Sequence, residues 1–266
     1  MGCPRSGTTL LQCLLGAHSR IAAFPETAFY TVLYPDRRWA ARLGLASPRA
    51  RLAWLAFARA LQRPDLASRL PRPALWARQY SRAFVGVLDG LAREQGKDVW
   101  LEKTPGHLYT VEIIQRLAPG AKFIHVLRHG PDVVASLYDL GLNYPQAEWG
   151  RKFRSLDVCL ARWAQDVTLS QAYAGRPDHR LVRYEDVLAD PRAALAPLCA
   201  FAGVPFEETM LSGYQQVAGR VIQPDETWKA GAFESIRAES GSKFRTLLDA
   251  EQQRYVLDRL PAALAA

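Results

Sequence analysis

Short apolar runs bounded by turn residues alternate along the chain with longer stretches whose apolar residues recur at helical spacing. Three runs predict strands: Val99–Glu102, Lys122–Leu127 and Arg180–Arg183. The middle one, with Phe123-Ile124-His125-Val126-Leu127, is almost continuously apolar, as a strand buried on both faces must be. Helices are predicted over 6–17, 107–117, 131–140, 156–173, 191–202 and 249–260. At one of these starts, Asp190 supplies a capping carboxylate and Pro191 a residue that tolerates the first helical turn. Strands alternating with helices predict βα units and a parallel sheet, an α/β fold.

A segment at about 35–96 breaks that rhythm with two helical runs. Pro48 opens the first, in which Leu52, Leu55, Ala56 and Arg59 follow helical spacing until Pro64. The second runs from about Ala74 to Arg93, with Trp76, Tyr80, Phe84 and Leu88 four residues apart. With no repeat and no low-complexity linker, residues 1–266 read as a single domain carrying this helical insert. The insert also holds the charge. The chain has 34 Lys and Arg against 26 Asp and Glu, a net +8. Between Arg37 and Arg93 stand twelve arginines, no lysine and two acids, Asp65 and Asp89, so this stretch carries +10 and the remainder −2. Two readings follow: solvated helix faces around a packed aromatic stripe, or a cationic surface turned toward an acidic acceptor. Nucleic acid is not an expected partner, because the sequence has no helix-turn-helix, RNA-recognition or zinc-finger signature.

Composition narrows the class further. Hydrophobic residues make up 49% and charged residues 23%, which excludes disordered and fibrous chains. No apolar run approaches the ~20 residues of a membrane span, and the first residues lack a signal-peptide layout. Cys3, Cys13, Cys159 and Cys199 have neither metal-ligand nor disulfide-framework spacing, which favours a reducing cytoplasm. The alanine and arginine richness points to a GC-rich bacterial genome.

The candidate chemistry begins at Gly2-Cys3-Pro4-Arg5-Ser6-Gly7-Thr8-Thr9, a glycine-bracketed turn running into Leu10, Leu11, Leu14 and Leu15. Glycines at 2 and 7 let backbone N–H groups wrap an anion at a helix N-terminus, where the dipole favours negative charge. The spacing matches G-x-x-x-x-G-K-[ST] except that Thr8 stands where the nucleotide-triphosphatase lysine would be. The strand at 122–127 is followed by Arg128, not by the acid that would help hold magnesium. The loop therefore fits an anion held by arginine and hydroxyl groups, with no metal expected. Ser136, eight residues after Arg128, is close enough to share a phosphate with it.

Together these residues resemble the sulfotransferase superfamily, whose donor is 3′-phosphoadenosine 5′-phosphosulfate (PAPS). Pro4-Arg5-Ser6-Gly7-Thr8-Thr9-Leu10 looks like its 5′-phosphosulfate loop, Arg128 and Ser136 like its 3′-phosphate pair, and Arg183-Tyr184-Glu185-Asp186 before Pro191 like a strand-end motif of bacterial members. From Arg5 to Tyr30 the chain is similar to the tyrosylprotein sulfotransferase branch, where the loop is followed by Ala-His and then Glu-Thr, here Glu26-Thr27. The resemblance spans roughly 2–30, 98–140 and 180–205. It implies a P-loop-type three-layer fold, a central parallel sheet flanked by helices. It also implies sulfuryl transfer from PAPS to a hydroxyl of a peptide tyrosine, sugar, lipid or small molecule.

By the same resemblance, Glu26 matches the general base and Lys103, in Glu102-Lys103-Thr104-Pro105, the lysine at the transferring group. Arg5, Ser6, Gly7, Thr8 and Thr9 would hold the 5′-phosphosulfate, and Tyr184 aligns with a nucleotide-proximal tyrosine. The small-molecule branch places a base histidine where this chain has Pro105, leaving His107 as runner-up base; His125 reads as a core residue. The family's C-terminal nucleotide contact has two candidates, Lys229 and the stretch Ser240-Gly241-Ser242-Lys243. In this superfamily the phosphate loop emerges from a central strand, yet only Met1 precedes Gly2, so a truncated reading frame is expected. The acceptor determinants are expected in residues 27–96. The competing functions are a P-loop kinase-like phosphotransferase and a non-catalytic nucleotide-binding relative.

Overall fold

The structure is a computed structural model describing residues 1–71, 75–233 and 242–260. Four short strands form two parallel pairs. β1 (Ile21–Phe24) pairs with β2 (Val99–Glu102), with Ile21 opposite Val99 and Phe24 opposite Glu102. β3 (Phe123–Leu127) pairs with β4 (His179–Arg183), with Phe123 opposite His179 and Leu127 opposite Arg183. Parallel pairing requires a crossover. Helices supply it: Pro48–Ala60 and Ala77–Glu94 between β1 and β2, and Gly130–Asn143 and Leu156–Gln171 between β3 and β4. This is the expected α/β construction. The three anticipated strands are present within one residue of their predicted ends, whereas β1 was not anticipated.

The chain divides into two compact units. One comprises Met1–Thr8, Phe123–Leu198 and residues 242–260. Its core packs Val133, Val134 and Leu137 against Cys159, Leu160, Trp163 and Val167, with Cys3 joining from the N-terminal loop. Met1 and Gly2 run beside β3: the Met1 carbonyl accepts from the Val126 N–H at 2.8 Å, and Gly2 forms a parallel bridge with Val126. Gly2 sits at φ +143, and a Cβ there would lie 2.4 Å from the Val126 carbonyl oxygen, so only glycine allows this approach. His125 is a core residue, as expected: it is buried in β3, and its Nε2 shares a 2.9 Å hydrogen bond with His179 Nδ1. Burial pushes its pKa down to about 3. The predicted cap is also present, since the Asp190 carboxylate accepts from the Ala193 N–H at 3.0 Å.

The other unit comprises Thr9–Lys122 and Cys199–Phe233. Its centre is aromatic: Phe29 stacks on Phe84 at 4.1 Å, with Trp54 and Phe57 edge-on to the same Phe84 ring. Within the expected insert stripe Tyr80, Phe84 and Leu88 are buried, but Trp76 is 46% exposed because it precedes the helix as its N-cap residue. The Pro48–Ala60 helix starts where predicted and buries Trp54 and Phe57 rather than the regularly spaced Leu52. Ala50, Trp54, Phe57 and Ala58 are buried while Leu52 is 63% exposed, because the two large rings bury more apolar area than leucines. Several insert arginines pair with acids at the surface: Arg49 with Asp36, and Arg63 with both Asp65 and Glu94. Half-exposed pairs of this kind contribute roughly 0–1 kcal/mol each. The helix predicted over 107–117 opens as a 3₁₀ turn, Pro105–Thr110, before the α-helix Val111–Leu117. Among the described residues no helix is long and apolar enough to cross a membrane.

Candidate active site

The glycine-bracketed turn leads into the helix Thr8–Gly16, the first turn of which contains the boundary between the two units. Arg5 and Gly7 both adopt left-handed backbone, at φ +74 and φ +85, as a tight anion-wrapping turn requires. A Cβ on Gly7 would lie 2.0 Å from the Tyr184 ring. Around this turn the unit gathers residues that are remote in sequence. Arg5 Nε donates to Ser136 Oγ at 2.9 Å, and Arg128 Nη1 donates to the Arg5 carbonyl at 3.0 Å. The Arg128 guanidinium lies over the Tyr184 ring, 4.4 Å from its centroid. Two bonds hold the turn that carries Arg128: the Trp163 indole donates to the Arg128 carbonyl at 3.1 Å, and the His129 N–H donates to Glu185 Oε1 at 2.9 Å. Arg5, Gly7, Arg128, Ser136 and Tyr184 are thus brought together, with Ser6 and Thr8 buried in the same turn.

The electrostatics of this cradle favour an anion. Burial lowers the Arg5 pKa, and the neighbouring Arg128 lowers it further. Arg128 Nε is buried with no hydrogen-bond partner. A buried donor without an acceptor costs roughly 1–3 kcal/mol, and two adjacent guanidiniums repel. A phosphate oxygen supplies both the acceptor and the countercharge, so the residues present fit a phosphorylated ligand.

The other unit holds the ionic cluster. Because β1 and β2 are parallel and end together at Phe24 and Glu102, the residues just beyond, Glu26 and Lys103, emerge side by side. Lys103 Nζ donates to Glu26 Oε1 and, at 3.2 Å, to Thr9 Oγ1. Lys229, in the 3₁₀ turn Thr227–Phe233, donates to the same Glu26 oxygen at 2.7 Å and also to Glu226. Lys103 is buried, whereas the Glu26 side chain keeps 27% exposure. Burial pushes the Glu26 carboxyl up, but Lys103 and Lys229 outweigh it and hold the group below its ordinary value. Burial draws Lys103 down and Lys229 adds to this, with Glu26 opposing both. The result is an ionised, solvent-touched carboxylate between two ammonium groups.

The runner-up His107 is otherwise engaged: its Nδ1 lies 2.9 Å from Glu102 Oε2, and its buried Nε2 has no partner. Its ring packs edge-on to Tyr30 at 5.6 Å. Lys229, considered as a nucleotide contact, instead binds Glu26; nothing local in Glu226-Thr227-Trp228-Lys229 signals that partner. Residues 240 and 241 of the alternative stretch lie outside the described residues, and Lys243 pairs with Asp139. Among the described residues no group of three or more His, Cys, Asp or Glu is placed to hold a metal ion. A cavity of about 700 Å³ opens beside β1, lined by Phe24 and Pro25, by Gln62 at the end of the first insert helix, and by Lys97 and Arg220.

Comparison with known proteins gives a consistent picture. The family model described as "Sulfotransferase family" matches residues 1–208. Protein-tyrosine sulfotransferase 2 of Gallus gallus is 26% identical over 223 residues, 82% of this chain and 54% of that protein. Protein-tyrosine sulfotransferase A of Caenorhabditis elegans is 23% identical over 225 residues, covering 83% and 53%. The chain thus spans about half the length of the curated relatives it matches. Among solved structures, the sulfotransferase domain of the Synechococcus PCC 7002 olefin synthase superposes with a TM-score of 0.63 at 22% identity, covering 99% of this chain and 90% of that one. The sulfotransferase domain from the curacin biosynthetic pathway gives 0.58 at 20% identity, covering 98% and 96%. These two likenesses concern the fold.

Proposed function

We propose that this chain, which belongs to the Sulfotransferase family, moves the sulfuryl group of PAPS to an acceptor hydroxyl by in-line transfer, with Glu26 as general base. The observation that carries this reading is the Glu26–Lys103 contact at the ends of two paired parallel strands, a carboxylate and an ammonium held at adjoining positions. Arg5, Ser136 and Arg128, stacked on Tyr184, bind phosphate oxygens, and the Ser6-Gly7-Thr8-Thr9 turn contributes amides and hydroxyls at the helix start. When bound, the donor supplies an activated sulfuryl group and a stable leaving phosphate.

Lys103 stabilises negative charge developing on the transferring group and the leaving oxygen. Glu26 removes the acceptor proton. A carboxylate between two ammoniums is ionised but weakly basic. As Lys103 turns toward a sulfonate, Glu26 loses one of its two cations and gains basicity at the point where the proton must be taken. Residues 1–266 form a single sulfotransferase domain in this reading, with 35–96 as its insert. The insert reaches the cavity beside Phe24 and Pro25 through Gln62, which supports its part in acceptor recognition. The acceptor is a hydroxyl of a peptide tyrosine, sugar, lipid or small molecule. Four free, buried cysteines support a cytoplasmic setting.

The test is radiolabelled sulfur transfer from PAPS to lysate fractions, alongside thermal unfolding with 3′-phosphoadenosine 5′-phosphate (PAP) or ATP–magnesium. Label transfer and stabilisation by PAP are expected. Stabilisation by ATP–magnesium alone would establish the phosphotransferase reading. PAP binding with no transfer across a broad acceptor panel would establish a non-catalytic relative.

A further inference from the structure

The β1–β2 ladder stops at Phe24 and Glu102, so backbone hydrogen bonds do not fix the positions of Glu26 and Lys103 relative to each other. A buried knot of side chains takes over there. Glu102 Oε1 accepts from the Thr27 N–H at 3.1 Å, from Thr27 Oγ1 at 2.8 Å and from Thr104 Oγ1 at 2.7 Å. Glu102 Oε2 lies 2.9 Å from His107 Nδ1. Thr104 Oγ1 in turn accepts from the Thr27 N–H at 3.3 Å and from the Ala28 N–H at 3.1 Å. Ala28 itself sits in left-handed backbone at φ +49, a conformation that non-glycine residues adopt only when their surroundings impose it.

We propose that Glu102 and Thr104 are positioning residues, a carboxylate–hydroxyl clamp that sets the separation of Glu26 and Lys103. Every group it holds adjoins one member of that pair: Thr27 follows Glu26, and Glu102 and Thr104 flank Lys103. Packing alone does not call for a carboxylate here, because burying an ionised group costs several kcal/mol that apolar side chains avoid. Burial raises the Glu102 pKa, yet His107 and the hydroxyls of Thr104 and Thr27 more than reverse this and hold it at about 2.

The meaning of the clamp rests on the proposed roles of Glu26 and Lys103; its existence as a positioning device does not. The groups facing Glu26 are Lys103, Lys229 and, through Lys229, Glu226, with the buried Cys13 thiol sensing both lysines. Thr104→Val removes the hydroxyl at nearly constant volume and Thr104→Ser retains it. Both are compared with wild type by carbon-NMR titration of the Glu26 carboxyl and by kcat and KM for PAPS. Thr104→Val is expected to raise the Glu26 pKa and the acid limb of kcat. It also lowers kcat about ten- to a hundredfold, as misplacement of a reacting group does, leaving KM for PAPS near wild type. Thr104→Ser restores both. Wild-type titration and kcat in Thr104→Val, with only thermal stability reduced, would overturn the proposal. Should Thr104→Val not fold, Thr27→Val, which removes a different donor to Glu102, gives the same two readouts. A wild-type protein that transfers no sulfuryl group refutes the proposed function, while the Glu26 titration still decides the clamp.

Discussion

Arg128 offers the sharpest perturbation of the proposed anion cradle. Arg128→Met keeps an unbranched apolar stem but removes the guanidinium that lies over the Tyr184 ring, and with it the bond to the Arg5 carbonyl and the buried, unpartnered Nε. In the proposed complex that guanidinium makes at least one charge-assisted hydrogen bond to phosphate, worth roughly 1.5–3 kcal/mol. At about 1.4 kcal/mol per decade, the affinity for PAP should fall roughly ten- to 150-fold. In the free protein the balance differs. Removing Arg128 also removes a like charge that depresses Arg5 and a donor with nothing to bind, so the ligand-free melting temperature should change little. Calorimetric titration with PAP at fixed ionic strength, paired with ligand-free thermal unfolding, separates the two effects. A PAP affinity within twofold of wild type would refute the assignment of Arg128 to the cradle. A collapse of ligand-free stability would instead assign the residue to the fold.

Two further outcomes follow from the same geometry. Gly7→Ala forces a Cβ to within 2.0 Å of the Tyr184 ring at a φ of +85, so PAP binding measured by calorimetry should fall more than about tenfold, the loss expected when a displaced turn forfeits one charge-assisted hydrogen bond; unchanged binding would show that the turn does not shape the site. His125, held at about 3 in the fold, is neutral there. Its stabilising contribution is complete above the ordinary histidine value of about 6.5 and is lost as pH falls toward 3. Denaturant unfolding should therefore lose about 1.5 kcal/mol between pH 6.5 and pH 5, before carboxylates titrate; a flat profile over that interval would contradict the burial of His125.

What the sequence revealed and what it hid divide along physical lines. The glycine-bracketed turn was legible because glycine spacing and a helix start are local chemistry, and the place of Arg128 because it closes the apolar strand β3. β1 was not: Ile21-Ala22-Ala23-Phe24 is four residues with no period, and two are alanines that favour helix, so only its pairing with β2 makes it a strand. The inward face of the Pro48–Ala60 helix was not legible in the regular spacing of Leu52 and Leu55, because Trp54 and Phe57 win the interior through packing against Phe29 and Phe84. Lys229 reaches Glu26 across 203 positions of chain, a contact no local pattern encodes. The same holds for Glu102, which reads as a neighbour of Lys103 until Thr27 and His107 are seen to converge on it.

The central claim, that Glu26 takes the proton during sulfuryl transfer, is tested most directly by Glu26→Gln, which preserves shape and removes the charge. Single-turnover transfer of radiolabelled sulfur from PAPS should fall about a hundred- to ten-thousandfold, the range for losing a general base, with PAP affinity near wild type. A Glu26→Gln protein that transfers sulfur at the wild-type rate would contradict it.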